Sequence, residues 1–81
     1  MGFYMTNVQL VVLEKLQLLN AVQSFSFNER ESLLIDTPLA DFEVDDLDII
    51  LVYPKVNIME SFLILAKTVE FLKETVEGLK G

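Results

Sequence analysis

The spacing of apolar residues predicts a helix near each end of the chain. In the first, apolar residues recur at spacings of three and four from Val8 to Leu19. Thr6 or Asn7 can cap its N-terminus, and we expect it to end near Gln23. Its other faces are apolar too, which is typical of a helix buried inside the protein.

The second helix has the clearest pattern in the chain. Asn57 and Glu60 have the spacing of a capping box, and Gly78 is placed to end the helix. The apolar seam that follows the cap consists of Ile58, Phe62, Leu65, Val69, Leu72, Val76 and Leu79. Such a seam can zip against a second chain. In so short a chain we expect it to pack on the first helix instead.

The middle of the chain mixes helix-start signals with strand-like runs. Residues 24–28 alternate like a short strand but also suit a loop. Asn28 and Glu31 have capping-box spacing, and Thr37–Pro38 is typical of a helix start. The run at 47–53 is ambiguous, because its β-branched residues favour a strand while its acidic entry favours a helix.

Composition narrows the possible functions. The 81 residues predict a single domain, 1–81, with net charge −7 and 52% hydrophobic residues. The pI of about 4.3 argues against nucleic-acid binding and against an anionic membrane surface. It favours a basic protein partner. The mean hydropathy of +0.42 suggests apolar surface left over for a partner.

Residue chemistry argues against an enzyme. The chain has no Cys and no His, which excludes disulfides, thiol chemistry, histidine bases and the usual zinc ligands. No nucleophile beside a base and no Gly-rich phosphate loop is visible. No apolar run reaches the roughly 18 residues of a membrane span. The start has no signal-peptide layout, so we expect a cytoplasmic protein, with Met1 or Met5 as its native start.

One segment carries a family resemblance. Residues 37–48 read T-P-L-A-D-F-E-V-D-D-L-D. They resemble the segment around the prosthetic-group site of acyl and peptidyl carrier proteins, written T-P-L-x-D-L-G-x-D-S-L-D. Residues 67–74, K-T-V-E-F-L-K-E, are similar to the final helix of that family. The size, the acidity and the order of the helix signals also suit it.

The resemblance implies an all-α fold, a small carrier-protein-like helical bundle. It also implies that Asp46 occupies the position of the Ser that carries 4'-phosphopantetheine, and a carboxylate cannot form that phosphodiester. We therefore expect no phosphopantetheine cofactor, and Ser61 is the alternative tether site. Glu43 in place of the family's Gly and Pro54 inside the expected second helix depart from the pattern. The structural alternative is an α+β fold with two or three short strands between two helices.

The acidic segment is the candidate binding site. It contains no basic residue and consists of Asp41, Glu43, Asp45, Asp46 and Asp48. Its spacing fits no calcium loop, so we expect no metal. The sequence predicts a non-catalytic, carrier-protein-like binding module that presents an acidic helix to a basic partner enzyme. The alternative is a small acidic inhibitor or adaptor, of the phage or plasmid type, that binds a host enzyme. Either a monomer or a homodimer fits.

Overall fold

The structure, a computed structural model, describes residues 4–46 and 50–80. In sequence order, the four strands of one sheet come between two helices. The elements are α1 (Asn7–Leu18), β1 (Ser24–Phe27), β2 (Leu33–Asp36), β3 (Ala40–Val44), β4 (Ile50–Pro54) and α2 (Met59–Lys80). The strands follow each other in space in the order β1-β2-β3-β4, and each neighbouring pair is antiparallel.

The strand register gives the sheet two chemically different faces. Residues that lie opposite each other on paired strands share a face. The rows on the inner face are Phe25–Ile35–Phe42–Val52 and Phe27–Leu33–Val44–Ile50. The rows on the outer face are Ser24–Asp36–Asp41–Tyr53 and Ser26–Leu34–Glu43–Leu51. Both helices pack with the inner face, which is apolar throughout.

Strand β3 shows why the middle of the chain forms a sheet. Ala40, Phe42 and Val44 are buried, whereas Asp41 is exposed and Glu43 is half-buried. This alternation has the period of two that a strand with one buried face requires. On a helix, the same residues would scatter the two acids among the apolar side chains. The hydrophobic effect therefore selects the strand.

The first hairpin turn contains Asn28 and Glu31, whose spacing predicts a helix cap. The Asn28 side-chain oxygen accepts hydrogen bonds from the backbone N–H groups of Arg30 at 2.9 Å and Ser32 at 3.0 Å. The Glu31 N–H donates to the Asn28 carbonyl at 3.1 Å, and Glu31 has a φ of 63°. Asn28 therefore closes the β1–β2 hairpin, and the predicted helical turn here is wrong.

The second hairpin turn contains the Thr-Pro pair. Pro38 follows Thr37, the first residue of a four-residue turn that ends at Ala40. The Thr37 hydroxyl donates to the Ala40 carbonyl at 2.6 Å and accepts from the Ala40 N–H at 3.1 Å. Proline is favoured at the second position of such turns because its φ is already fixed. The pair starts a β-hairpin here and not a helix.

One apolar core joins the two helices and the inner face of the sheet. Its buried members are Val8, Val12, Leu13, Leu16, Leu33, Ile35, Ala40, Phe42, Val44, Leu65, Leu72 and Val76. Leu65 and Leu72 confirm that the C-terminal seam packs inside the chain, where α2 contacts α1. The ends of the predicted seam, Ile58 and Leu79, are exposed.

The two helix predictions are confirmed in position, with shifted ends. Thr6 caps α1 in a capping box with Gln9. The helix stops at Leu18, before the predicted Gln23, because Asn20 adopts a left-handed φ of 55°. The backbone N–H groups that follow the helix bond back to its last turn, as in a Schellman motif. Gly78 does not end α2, which continues to Lys80.

The predicted all-α, carrier-protein-like helical bundle is wrong. The segment predicted to form its second helix becomes strand β4 from Ile50 onwards. The α+β alternative has the right class, with four strands where two or three were expected. Pairing with β3 places the β-branched Ile50 and Val52 on the inner face of the sheet, where each is half-buried and extends a row of buried residues. Such a row is the environment that β-branched side chains prefer.

Candidate functional site

The structure does not gather the predicted acidic segment on a helix. Asp41 and Glu43 lie on the outer face of β3, and Asp45 and Asp46 lie in the connection between β3 and β4. Asp48 lies outside the described residues. The predicted helix is therefore wrong for this segment, because the described acids belong to a strand and the connection after it, whereas a docking role for these acids stays a prediction.

Part of the acidic charge on the outer face is already paired. The Lys55 ammonium contacts the Asp36 carboxylate and lies 3.0 Å from the Asp41 carboxylate. Hydrogen bonding from Lys55 lowers the pKa of Asp36, and bonding to Asp36 and Asp41 raises the pKa of Lys55. The Tyr53 hydroxyl lies 3.4 Å from the Glu43 carboxylate, to which it donates. These contacts weaken the outer face as a docking site for a basic partner.

The position that matched the tether Ser lacks the expected surroundings. Asp46 lies in a strand-to-strand connection, where the resemblance implied the N-terminus of a helix. Ser61 lies in the first turn of α2, outside the acidic segment, and its side chain is half-buried. Neither residue therefore reproduces the carrier arrangement in which acids frame an exposed hydroxyl.

A modification assay tests this conclusion. We expect a phosphopantetheinyl transferase with coenzyme A to add no mass to the wild type or to Asp46→Ser, because a hydroxyl there lacks the helix that the transferase would recognise. Intact-mass spectrometry measures the result, with an authentic carrier protein as the positive control. A mass gain on Asp46→Ser would contradict the fold-based argument. A gain on the wild type would point to Ser61.

An apolar groove lies between α2 and β4, and we call it the α2–β4 groove. Its volume is about 810 Å³. It is lined by Val52 of β4 and by Phe62, Leu65, Ala66, Val69, Glu70, Lys73, Glu74 and Glu77 of α2. The apolar residues form its floor, and the charged residues lie along one side of α2. Surfaces of this kind on small proteins commonly mark interaction sites.

The groove exists because α2 has more apolar residues than the core uses. Leu65, Leu72 and Val76 are buried, which commits one face of the helix to the core. The neighbouring face carries Phe62 and Ala66, both exposed. The other large apolar side chains exposed on α2 are Met59, Leu63, Ile64, Phe71 and Leu79. This helix therefore presents apolar surface to water that nothing in the described chain covers.

Three glutamates give the groove an acidic rim. Glu70, Glu74 and Glu77 follow each other at spacings of four and three, so they form one line along α2. We call this line the glutamate stripe. Among the described residues that line the groove, Lys73 is the one cation. The rim is therefore net negative, in agreement with the net charge of −7 for the whole chain.

Sequence reasoning missed this groove. It assigned Phe62 and Val69 to the core seam. Val69 does pack against the core, but both residues also line the groove, where Phe62 is exposed. The available signal was the apolar Phe62, Leu63 and Ile64 run, which covers more of the helix circumference than one buried face needs.

Metal sites and membrane-spanning helices are two further features that bear on the function. Within 4–46 and 50–80, no group of three or more acidic side chains is arranged to hold a metal ion. None of the helices in the described part of the chain is long and apolar enough to cross a bilayer. Compared with protein-family models, curated proteins and solved structures, the chain gives no match.

Proposed function

We propose that this chain is a non-catalytic protein-binding module, an adaptor or inhibitor, whose α2–β4 groove holds an apolar surface of a basic partner. The observation that carries the proposal is the groove itself. It is open and apolar, its rim is acidic, and the whole chain has a net charge of −7. Burial of its exposed apolar wall supplies affinity, at roughly 25 cal/mol for each Å² removed from water.

Charge supplies orientation and speed of association. A chain with net charge −7 attracts a basic partner over a distance, and the glutamate stripe then faces that partner at close range. The acidic segment 41–48 adds to the long-range attraction only. This division of roles keeps the predicted basic partner and moves its contact surface from the acidic segment to α2.

The lining of the groove supports binding rather than catalysis. It contains no hydroxyl side chain that could act as a nucleophile, and its single amine, Lys73, stands among the glutamates of the stripe. Carboxylates beside an apolar floor also repel fatty acids and nucleotides. A basic macromolecule suits the charge and the open shape of the groove better than an anionic small molecule does.

The test is a capture experiment with the tagged protein in a lysate of its native cells. We expect the wild type to retain a basic protein that is lost when Ala66→Trp fills the groove. We expect weaker retention with Glu70→Gln/Glu74→Gln, because two charges of the rim disappear. The matched control is Glu14→Gln/Glu29→Gln, which removes the same charge from exposed sites on α1 and the β1–β2 turn. Equal retention by all four proteins would refute the groove as the binding site.

A further inference from the structure

Resting on the proposed function, we infer that the occupant of the α2–β4 groove is an amphipathic helix of the partner, with a cationic stripe beside its apolar face. Three features of the groove support a helix. They are its length, the period of its charged rim and the small side chain in its floor.

The groove has the length of several helical turns. Its lining along α2 extends from Phe62 to Glu77. At a rise of 1.5 Å per residue this stretch covers about 22 Å, or roughly four turns. A partner helix of about 15 residues that lies along α2 would fill it. Eight of the nine lining residues belong to α2. The groove therefore follows a helix along its whole length, and only Val52 represents the sheet.

The rim has a helical period. Glu70, Glu74 and Glu77 repeat along α2 at spacings of four and three. A second helix that runs beside α2 repeats its own side chains at the same distances. Lys or Arg residues at spacings of three and four on that helix would meet the glutamates one after another. An extended peptide repeats one face at about 6.6–6.8 Å, against roughly 4.5–6 Å between successive glutamates of the stripe, so it matches the stripe less closely than a helix does.

The floor allows close approach. Ala66 lies between Phe62 and Val69 on the same side of α2, and it is exposed. A small residue flanked by larger ones forms the depression into which a side chain of a neighbouring helix fits. Packed helices approach to about 8–10 Å between axes when such depressions are present. A Leu or Ile of the partner would then contact Phe62, Val69 and Val52 from the open side.

Other occupants fit less well. A second copy of this chain would bring its own glutamate stripe and a further net charge of −7 against the acidic rim. A strand added to the free side of β4 would meet Pro54, which has no N–H to donate. An acyl chain suits the floor, but its carboxylate or phosphate end would meet the glutamates.

Synthetic peptides test the inference directly. The probe is a fluorescein-labelled peptide of about 15 residues, with Leu on one face of a helix and Lys at spacings of three and four beside it. Its two controls are the same residues in scrambled order and a version with Glu in place of Lys. Fluorescence anisotropy measures binding to the 81-residue chain, and circular dichroism measures the helix content of the mixture.

We expect saturable binding of the ordered Leu/Lys peptide, with a gain of helical signal. Ala66→Trp should weaken it about tenfold or more, and Glu70→Gln/Glu74→Gln several-fold, with a smaller dependence on salt. Glu14→Gln/Glu29→Gln should change it less than twofold. The scrambled and Leu/Glu peptides should bind at least tenfold more weakly.

Several results would overturn the inference. Equal binding of ordered and scrambled peptides would show attraction by charge alone. Binding without a gain of helix would assign the groove to an extended segment. Self-association that Ala66→Trp abolishes would assign it to a second copy. If a native partner is captured and lost with Ala66→Trp while the helical peptide does not bind, the proposed function stands and the helix inference fails. If neither binds, both fail.

Discussion

Replacing Phe42 with Ala is expected to lower the free energy of unfolding by about 3–5 kcal/mol. Phe42 lies on β3 and is only 1% exposed, and its cross-strand neighbours are Ile35 on β2 and Val52 on β4. Removal of its ring leaves a cavity that the sheet and the helices above it cannot close completely. Small domains have a total stability of about 5–15 kcal/mol, so this one change removes much of it.

The matched control is Phe25→Ala, in the same cross-strand row. Phe25 is 47% exposed at the edge of the sheet, so we expect a loss of about 1 kcal/mol. Urea unfolding followed by circular dichroism measures both. Similar losses for the two variants would contradict the burial difference between β1 and β3. A loss below about 1 kcal/mol for Phe42→Ala would show that β3 does not lie at the centre of the core.

The helices were predictable from sequence because their signals are local. Capping of α1 by Thr6 and the seam through Leu65 and Leu72 are visible within one or two turns of chain. The end of α1 was less visible. It depends on Asn20 in a left-handed conformation, and Asn also occurs within helices.

The hairpins were mistaken for helix starts because both use the same chemistry. An Asn or Thr oxygen that accepts from a backbone N–H a few residues ahead caps a helix or closes a turn. Asn28 and Thr37 do the second. Pro38 suits both, since either role requires its fixed φ. The alternation of residues in the adjoining runs, 24–28 and Ala40 to Val44, is the signal that distinguishes a hairpin from a helix start.

The groove was harder to predict than the fold. Its wall comes from one side of α2 and from Val52, which is distant in sequence. The sequence shows that α2 is apolar on more than one face. Which face stays open depends on where α1 crosses α2 and on how far β4 reaches, and both follow from strand pairing. The acidic rim, by contrast, is predictable from the sequence alone, because Glu70, Glu74 and Glu77 lie in one helix at helical spacings.

The Gln9 side chain joins α1 to the sheet by hydrogen bonds. Its side chain is buried at 1% exposure. The Gln9 amide nitrogen donates to the carbonyls of Glu31 at 3.0 Å and Val44 at 2.9 Å. Its oxygen accepts from the Thr6 N–H at 3.0 Å. One side chain therefore satisfies backbone groups of the helix start, the β1–β2 turn and the end of β3.

We expect Gln9→Leu to lower the free energy of unfolding by about 3 kcal/mol. Leucine fills a similar space but leaves these backbone groups without their partner, and a buried unsatisfied group costs about 1–3 kcal/mol. The control is Gln17→Leu on the exposed side of the same helix, where we expect a change within about 0.5 kcal/mol. Urea unfolding at pH 7 compares the two. Equal effects would mean that the three hydrogen bonds of Gln9 contribute nothing.

The charge variant Gln9→Glu separates hydrogen bonding from packing. At pH 7 its new carboxylate would face the carbonyl oxygens of Glu31 and Val44. Burial and these acceptors disfavour the charged form, so the folded-state pKa should rise above the ordinary value of about 4.3. The destabilisation should then shrink as the pH falls through that raised pKa, because the protonated acid can donate one hydrogen bond. Gln9→Leu should show no such recovery relative to wild type. If the two variants respond alike to pH, the amide of Gln9 does not act as the donor that holds α1 to β3.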